Sequence, residues 1–167
     1  LILINHQSML DIIVMEHLHN RNIAWVAKKE ITDLFFFGHI IKAPRMISID
    51  RENKAGLIHL LSEVKDRLSK GRPIAMFPEG TRSDGTYIGE FKAGAKMVGN
   101  KFNLKVQPVV MFNTRNIVNS QKMEAAPGVV KVIYLKPVVA SKDTSWYEDC
   151  EKNMKEVFEK EYKNYVS

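Results

Sequence analysis

The sequence is poor in cysteine and lacks a hydrophobic run long enough to cross a membrane. Its single cysteine, Cys150, cannot form a disulfide within the chain, which favours a reducing compartment such as the cytoplasm. The best apolar candidate, residues 34–41, is much shorter than the roughly 18 apolar residues that a transmembrane helix requires. We therefore expect a domain on the cytoplasmic side that needs no covalent cross-link and does not itself cross a bilayer.

Several sequence patterns of known chemical sites are also absent. The glycines match neither the Rossmann nor the Walker pattern for nucleotide phosphates. No G-x-S-x-G motif offers a nucleophilic serine, and the histidines do not have the spacing of a zinc site. These absences disfavour nucleotide hydrolysis, a serine nucleophile and a bound metal.

Positive charge, by contrast, is in excess. Among 167 residues, 25 Lys and Arg exceed 19 Asp and Glu, and the resulting net charge of +6 favours polyanionic partners. Nucleic acid is disfavoured because the basic residues are dispersed and no nucleic-acid-binding motif occurs. Anionic lipid surfaces and acidic carrier proteins remain as candidate partners.

Apolar runs rich in Val and Ile alternate with longer amphipathic stretches, which is typical of α/β proteins. The runs show little polar alternation, as expected of strands covered on both faces. We therefore predict a single three-layer α/β/α domain over residues 1–167 with a mainly parallel central sheet. Strands are predicted at residues 1–4, 23–27, 46–49, 74–77, 105–111 and 129–135; helices are predicted at residues 8–19, 29–41, 53–70, 93–101 and 146–165; residues 113–128 are predicted to be irregular.

The helix predicted over residues 53–70 has the clearest periodicity. Ile58, Leu61, Val64 and Leu68 lie three or four positions apart and predict one buried stripe. Gly71 is well placed to end this helix.

The segment 5–11, NHQSMLD, lies where the first predicted strand passes into the first helix. Ligands of α/β proteins collect at such strand ends. Asp11 can reach back to one ring nitrogen of His6 and leave the other nitrogen to take a proton, although the same spacing also serves as a simple helix-start hydrogen bond. Ser8 has the position of an N-cap, so its hydroxyl is occupied and a substrate hydroxyl is the better nucleophile. Because the pair is expected to lie at a loop and not in the core, we expect its replacement to leave the fold largely intact.

A second segment, residues 77–83 with the sequence FPEGTRS, also follows a predicted strand. Gly80 allows an unusual backbone turn, and Arg82 offers a planar fork of hydrogen-bond donors. Such a loop suits a phosphate or a carboxylate. Taken alone, the segment is interpreted by default as a solvated turn with an exposed salt bridge.

Together, the two segments resemble the motifs of the glycerolipid acyltransferase superfamily, most closely those of the 1-acylglycerol-3-phosphate (lysophosphatidic acid) acyltransferases. Three further blocks match in order: residues 27–30 (AKKE), Gly38 with residues 47–51 (ISIDR), and residues 106–110 (VQPVV). The resemblance spans about residues 1–112. The hydrophobic region that usually precedes the first motif is absent, and because Leu1 begins in a predicted strand, we expect the original chain to extend upstream.

The resemblance implies a role for each matching residue. His6 would be the general base that deprotonates the acceptor hydroxyl, and Asp11 would orient it and stabilise its charge. The substrate phosphate would be bound by cations, with the adjoining loop shaping the site: Lys28, Arg51 and Arg82 as cations, and Glu79, Gly80 and Thr81 as loop residues. Alternatively, Arg51 can form a structural pair with its acidic neighbours, and Lys28 can be a surface lysine.

The function implied is transfer of a fatty acyl group to the free sn-2 hydroxyl of 1-acylglycerol 3-phosphate, giving phosphatidic acid in phospholipid biosynthesis. Acyl-CoA or acyl carrier protein would be the donor substrate, and no cofactor is expected. We expect a soluble fragment acting at the cytoplasmic face of a membrane, where Phe35, Phe36 and Phe37 near basic residues would touch the bilayer or fill the core. The alternatives are an acyltransferase for another lysolipid or for glycerol 3-phosphate, a thioesterase, and a non-catalytic lipid-binding module.

Overall fold

The computed structural model describes residues 1–28, 46–49, 54–119 and 122–166. The helix predicted over residues 29–41, its three phenylalanines and Arg51 lie outside these ranges. Helices and strands alternate over much of the described chain. In chain order they are β1 (Ile2–Ile4), α1 (Leu10–Leu18), β2 (Ala24–Lys28), β3 (Ile47–Ile49), α2 (Lys54–Ser69), β4 (Ile74–Met76), α3 (Ala93–Phe102), β5 (Lys105–Phe112), α4 (Thr114–Ile117), β6 (Val118–Asn119), β7 (Glu124–Ala125), β8 (Lys131–Tyr134), β9 (Val138–Val139) and α5 (Trp146–Val166).

The chain divides into two compact units, Leu1–Leu18 with Phe77–Ser167, and His19–Met76. In the second of these units, β2 pairs in parallel with both β3 and β4. Trp25 of β2, Ile47 of β3 and Ile74 of β4 are almost fully buried. Parallel strands all begin at the same edge of the sheet, so the chain must cross back to that edge between them. Helix α2 makes this crossover between β3 and β4.

Helix α2 buries only part of the predicted stripe. Leu60 and Val64 are fully buried, whereas Ile58 is 72% exposed, so the assignment of Ile58 to the buried face is wrong. The leucines of α2 are spaced so that more than one face of the helix could be the buried one. Packing against the strands buries the face that carries residues 60 and 64. The prediction for Gly71 is confirmed: it has a φ of 69°, and its N–H donates to the Leu68 carbonyl.

In the other unit, β5 is the central strand. It pairs in parallel with β1 and antiparallel with β8 and β9. Leu3 and Ile4 of β1 and Val109 of β5 are fully buried, and Phe112 at the end of β5 stacks on Phe158 of α5 with ring centroids 4.8 Å apart. The polar segment 5–11 begins directly after β1, next to this core.

The α/β class and the mainly parallel sheet are confirmed. Strand β1 pairs in parallel with β5, and β2 pairs in parallel with both β3 and β4. The prediction that residues 113–128 are irregular is wrong in part. This segment contains the short helix α4 and the antiparallel pair β6–β7. Elements of four and two residues are too short to show a hydrophobic period. The prediction of a single domain over the whole chain stays a prediction.

No helix within the described ranges is both long enough and apolar enough to cross a membrane.

Candidate active site

His6 and Asp11 form the predicted pair, directly after β1. The His6 Nδ1 and Asp11 Oδ2 atoms are 2.8 Å apart, with His6 9% exposed and Asp11 fully buried. A carboxylate only accepts hydrogen bonds, so we assign the ring proton to Nδ1 and the acceptor lone pair to Nε2. The pair is therefore arranged for proton transfer at Nε2.

The Asp11 carboxylate is held by four donors. Besides His6, its Oδ2 atom accepts the backbone N–H groups of Gln7 at 2.7 Å and Ser8 at 2.9 Å. Its Oδ1 atom accepts the hydroxyl of Thr114 at 2.5 Å. These bonds compensate the charge that burial would otherwise penalise. The expectation that Asp11 lies outside the core is wrong, because the turn into α1 carries it inside.

Ser8 is occupied as predicted. Its hydroxyl donates to the Val118 carbonyl at 2.6 Å and accepts the N–H of Leu10, at the start of α1, at 3.3 Å. Ser8 is also only 1% exposed. A hydroxyl with both functions engaged is a poor nucleophile, so the structure disfavours Ser8 in that role.

Phe77 packs flat on the His6 imidazole. The ring centroids are 3.7 Å apart, and the ring planes differ by 12°. Burial lowers the pKa of His6; the hydrogen bond and charge of Asp11 oppose this shift, and the charge of Arg82 adds to it. The net direction is downward, so His6 is a neutral base at neutral pH.

Glu79 ties the FPEGTRS loop to His6. It is 3% exposed, and its two carboxylate oxygens accept the backbone N–H groups of His6 and Gly89, both at 2.7 Å. Burial raises the pKa of Glu79. With both oxygens engaged by backbone donors, Glu79 holds the loop against His6, and its part in shaping a phosphate site stays a prediction.

The rest of the FPEGTRS loop also lies close to His6. Gly80 has a φ of 74°, and its N–H donates to the Phe77 carbonyl at 3.1 Å, which makes the tight turn that glycine permits. The Ser83 N–H donates to the His6 carbonyl at 2.8 Å. Thr81 is exposed, and Arg82 is half-buried. Both backbone groups of His6 are thus bonded to the loop that carries Arg82.

Of the three cationic side chains predicted at the phosphate, the structure describes only that of Arg82. Arg82 lies close enough to His6 to affect its pKa. Lys28 is the last residue of β2, and its side chain lies outside the described part of the structure, as does Arg51. Their roles at a phosphate stay predictions.

Sequence reasoning missed several residues that build the site. Asn5 continues the β1–β5 pairing with its side chain: its Nδ2 atom donates to the Met111 carbonyl at 2.9 Å, and its Oδ1 atom accepts the Met111 N–H at 2.7 Å. Phe77 and Thr114 complete the surroundings of the pair. Asn5 and Phe77 belong to the two motif segments, but attention there went to other residues. Thr114 could have been found only from its position after β5, since the ends of parallel strands such as β1 and β5 are where ligands bind.

Comparisons with a family model, with related sequences and with a solved structure all identify acyltransferases. Residues 1–112 match the family model described as Acyltransferase. The 1-acyl-sn-glycerol-3-phosphate acyltransferase of Helicobacter pylori is 42% identical over 97% of this chain, which covers 69% of that relative. The Escherichia coli protein of the same name is 31% identical over 82% of this chain, covering 56% of that relative. The crystal structure of the 1-acyl-sn-glycerophosphate (LPA) acyltransferase PlsC from Thermotoga maritima matches 99% of this chain with a TM-score of 0.74 and 26% identity.

This chain spans 66% of the length of the Thermotoga protein and 56% of that of the Escherichia coli protein. The family model nevertheless includes both motif segments and the strands that position them. The resemblance inferred from the motifs is confirmed: the chain belongs to the acyltransferase family and, within it, to the 1-acyl-sn-glycerol-3-phosphate acyltransferases.

Proposed function

We propose that this chain transfers a fatty acyl group from a thioester to the free sn-2 hydroxyl of 1-acylglycerol 3-phosphate, giving phosphatidic acid. The observation that carries the proposal is the buried pair of His6 and Asp11, whose geometry leaves Nε2 as the proton acceptor. The relatives named 1-acyl-sn-glycerol-3-phosphate acyltransferase support the choice of acceptor.

His6 acts as the general base. Its Nε2 atom takes the hydroxyl proton as the acceptor oxygen attacks the thioester carbonyl, and the resulting imidazolium is stabilised by the Asp11 carboxylate. When the tetrahedral intermediate collapses, the carbon–sulfur bond breaks and Nε2 returns the proton to the departing thiolate. A thioester is already activated, so a positioned base and an aligned hydroxyl supply much of what the reaction needs. No acyl-enzyme is required, in accord with the occupied hydroxyl of Ser8.

Several features of the substrates follow from this proposal. The acyl donor is acyl-CoA or acyl carrier protein, both of which are anionic and suited to a chain of net charge +6. Both are consumed as substrates, so no resident cofactor is needed. Because the acceptor and product are lipids, we place the reaction at the cytoplasmic face of a membrane. Lys28 and Arg51 join Arg82 as proposed cations at the acceptor phosphate.

The proposal is tested by measuring coenzyme A release from acyl-CoA with and without lysophosphatidic acid in detergent micelles, with the lipid product identified by mass. Acceptor-dependent release with phosphatidic acid formed supports it. Acceptor-independent release identifies a thioesterase, whereas transfer only to another lysolipid or to glycerol 3-phosphate redirects the acceptor assignment. If acyl-CoA gives no release, the assay is repeated with acyl carrier protein. Lipid binding without turnover of either donor identifies a binding module and contradicts the proposal.

Replacing Arg82 with Gln is expected to weaken binding of lysophosphatidic acid. The guanidinium lies near His6, and its loss removes a charged hydrogen-bond donor worth roughly 1.5–3 kcal/mol, so the KM for the acceptor should rise about tenfold or more. Steady-state kinetics at varied acceptor concentration measures the effect. Arg21→Gln, at an exposed turn, is the matched charge control. An unchanged KM in Arg82→Gln would remove Arg82 from the phosphate site.

The acidic limb of the pH–rate profile is expected below the ordinary histidine pKa. Burial lowers the pKa of His6, so its imidazole stays neutral to a lower pH than a solvent-exposed histidine, and activity should fall only once that lower pH is reached. The profile of kcat/KM against pH reports the pKa of the free enzyme. An acidic limb with its midpoint above 6.5 would contradict the assigned direction.

A further inference from the structure

Thr114 lies deeper in the site than its position in an irregular stretch of sequence suggests. It is the first residue of α4 and is fully buried. Its hydroxyl oxygen is 2.5 Å from Asp11 Oδ1 and 3.2 Å from Gln7 Oε1. The hydroxyl carries one proton, and an anionic carboxylate at short distance takes it in preference to a neutral amide oxygen. Thr114 is therefore a donor to Asp11.

The two oxygens of Asp11 are supported differently. Oδ2 is bonded to His6, Gln7 and Ser8, which fix its position at the start of α1. Oδ1 is bonded to Thr114. The backbone donors to Oδ2 hold the carboxylate in place even without Thr114, so the Thr114 hydroxyl chiefly affects how much negative charge the carboxylate presents to the imidazole.

The backbone that delivers Thr114 is itself unusual. Asn113, between β5 and α4, has a φ of 72°, in the left-handed region that non-glycine residues seldom adopt. This turn brings residue 114 back towards the end of β1 instead of continuing the line of β5. The Asn113 side chain is bonded to Val129 and Asn116, so the turn is supported on its outer side as well. Asparagine adopts this conformation more readily than other non-glycine residues, and its side-chain bonds support the turn that delivers Thr114.

We propose, on the basis of the function proposed above, that Thr114 is a positioning residue whose hydroxyl, by sharing the charge of Asp11, sets the basicity of His6. The bond from Thr114 to Asp11 is stronger when the imidazole is neutral and the carboxylate charge is uncompensated. It is weaker when Asp11 already faces an imidazolium. The hydroxyl therefore favours neutral His6, the form that accepts the substrate proton.

Other charged groups around the pair stay the same when Thr114 is changed. Asp11 is on α1, Glu79 and Arg82 are on the FPEGTRS loop, and Arg115 is on α4, where its guanidinium donates to the Ser83 carbonyl at 3.3 Å. A change in the His6 pKa on removing the hydroxyl thus reports the Thr114 contact itself.

Two matched pairs of proteins isolate the hydroxyl. Wild type and Thr114→Val have similar shape, and Thr114→Ser and Thr114→Ala both lack the methyl group. Within each pair, one protein has a hydroxyl that can donate to Asp11 and the other does not. The His6 pKa is measured by NMR titration of histidine-labelled protein, with the His6 signal assigned by its loss in His6→Gln. The pH profile of kcat/KM is recorded in parallel.

The two variants without a hydroxyl are expected to show a His6 pKa raised by about half a unit, equivalent to a threefold change in proton affinity. The acidic limb of their activity should move to higher pH by the same amount. Thr114→Ser should titrate like the wild type. A purely structural role would lower the rate equally at all pH values without moving the limb.

An unshifted His6 pKa in both Val and Ala variants, or a shift in Ser as large as in Ala, would overturn the inference. If Thr114→Val does not fold, the Ser and Ala pair decides. The NMR titration needs no turnover, so an inactive wild type with a shifted Thr114→Val titration would count against the proposed function and still support the role of Thr114.

Discussion

Replacing His6 with alanine is expected to reduce acyl transfer by about a hundredfold to ten-thousandfold, the range that general-base catalysis contributes. Nε2 is the atom proposed to accept the hydroxyl proton, and alanine leaves no group in its place. Asp11 keeps its bonds to Gln7, Ser8 and Thr114 in this variant, so the turn into α1 retains most of its support. The measurement is acceptor-dependent coenzyme A release, with phosphatidic acid quantified by mass.

The control for this variant is His59→Ala, which removes an exposed histidine from α2. It should retain wild-type activity, and circular dichroism should show both variants folded. Equal rates of phosphatidic acid formation in His6→Ala and the wild type would rule out His6 as the base.

Replacing Asp11 with alanine is expected to destabilise the protein as well as inactivate it. The substitution leaves the backbone N–H groups of Gln7 and Ser8 buried without their acceptor, since each of these residues is 1% exposed. It also leaves the Thr114 hydroxyl without the carboxylate. Breaking a buried charged network of this kind costs about 3–5 kcal/mol. The free energy of unfolding, measured by urea denaturation, should fall by that amount.

Asp143→Ala is the matched control, because Asp143 is exposed and its replacement should change the free energy of unfolding by less than about 0.5 kcal/mol. His6→Ala should be less destabilising than Asp11→Ala. If Asp11→Ala unfolded at the same urea concentration as Asp143→Ala, the buried carboxylate would contribute little to the fold.

Much of the site was predictable because it depends on local sequence. A strand that ends at a polar segment places His6 at the edge of a sheet, and the five-residue spacing to Asp11 is spanned by one turn. Gly80 likewise predicts a turn with positive φ, which the structure contains. These features require neighbours only a few residues away, so a single sequence carries enough information to identify them.

Other features depend on contacts between distant segments and could not be predicted in this way. The buried face of α2 is chosen by the strands it packs against, so Ile58 was assigned to the wrong face. Thr114 reaches Asp11 across 103 positions of sequence, and no local pattern marks it. A strand was predicted at residues 129–135, where β8 lies, but its antiparallel pairing with β5 and the two-residue strand β9 depend on contacts with a distant segment.

The shared use of Asp11 has an evolutionary consequence. The same carboxylate that pairs with His6 also accepts the N–H groups of Gln7 and Ser8 at the start of α1. A descendant that abandoned catalysis would still need Asp11 to fold, whereas His6 would be released from selection for proton transfer. In gene families that contain inactive copies with this fold, loss of the histidine should therefore come first, and a retained aspartate should not be taken as a sign of activity.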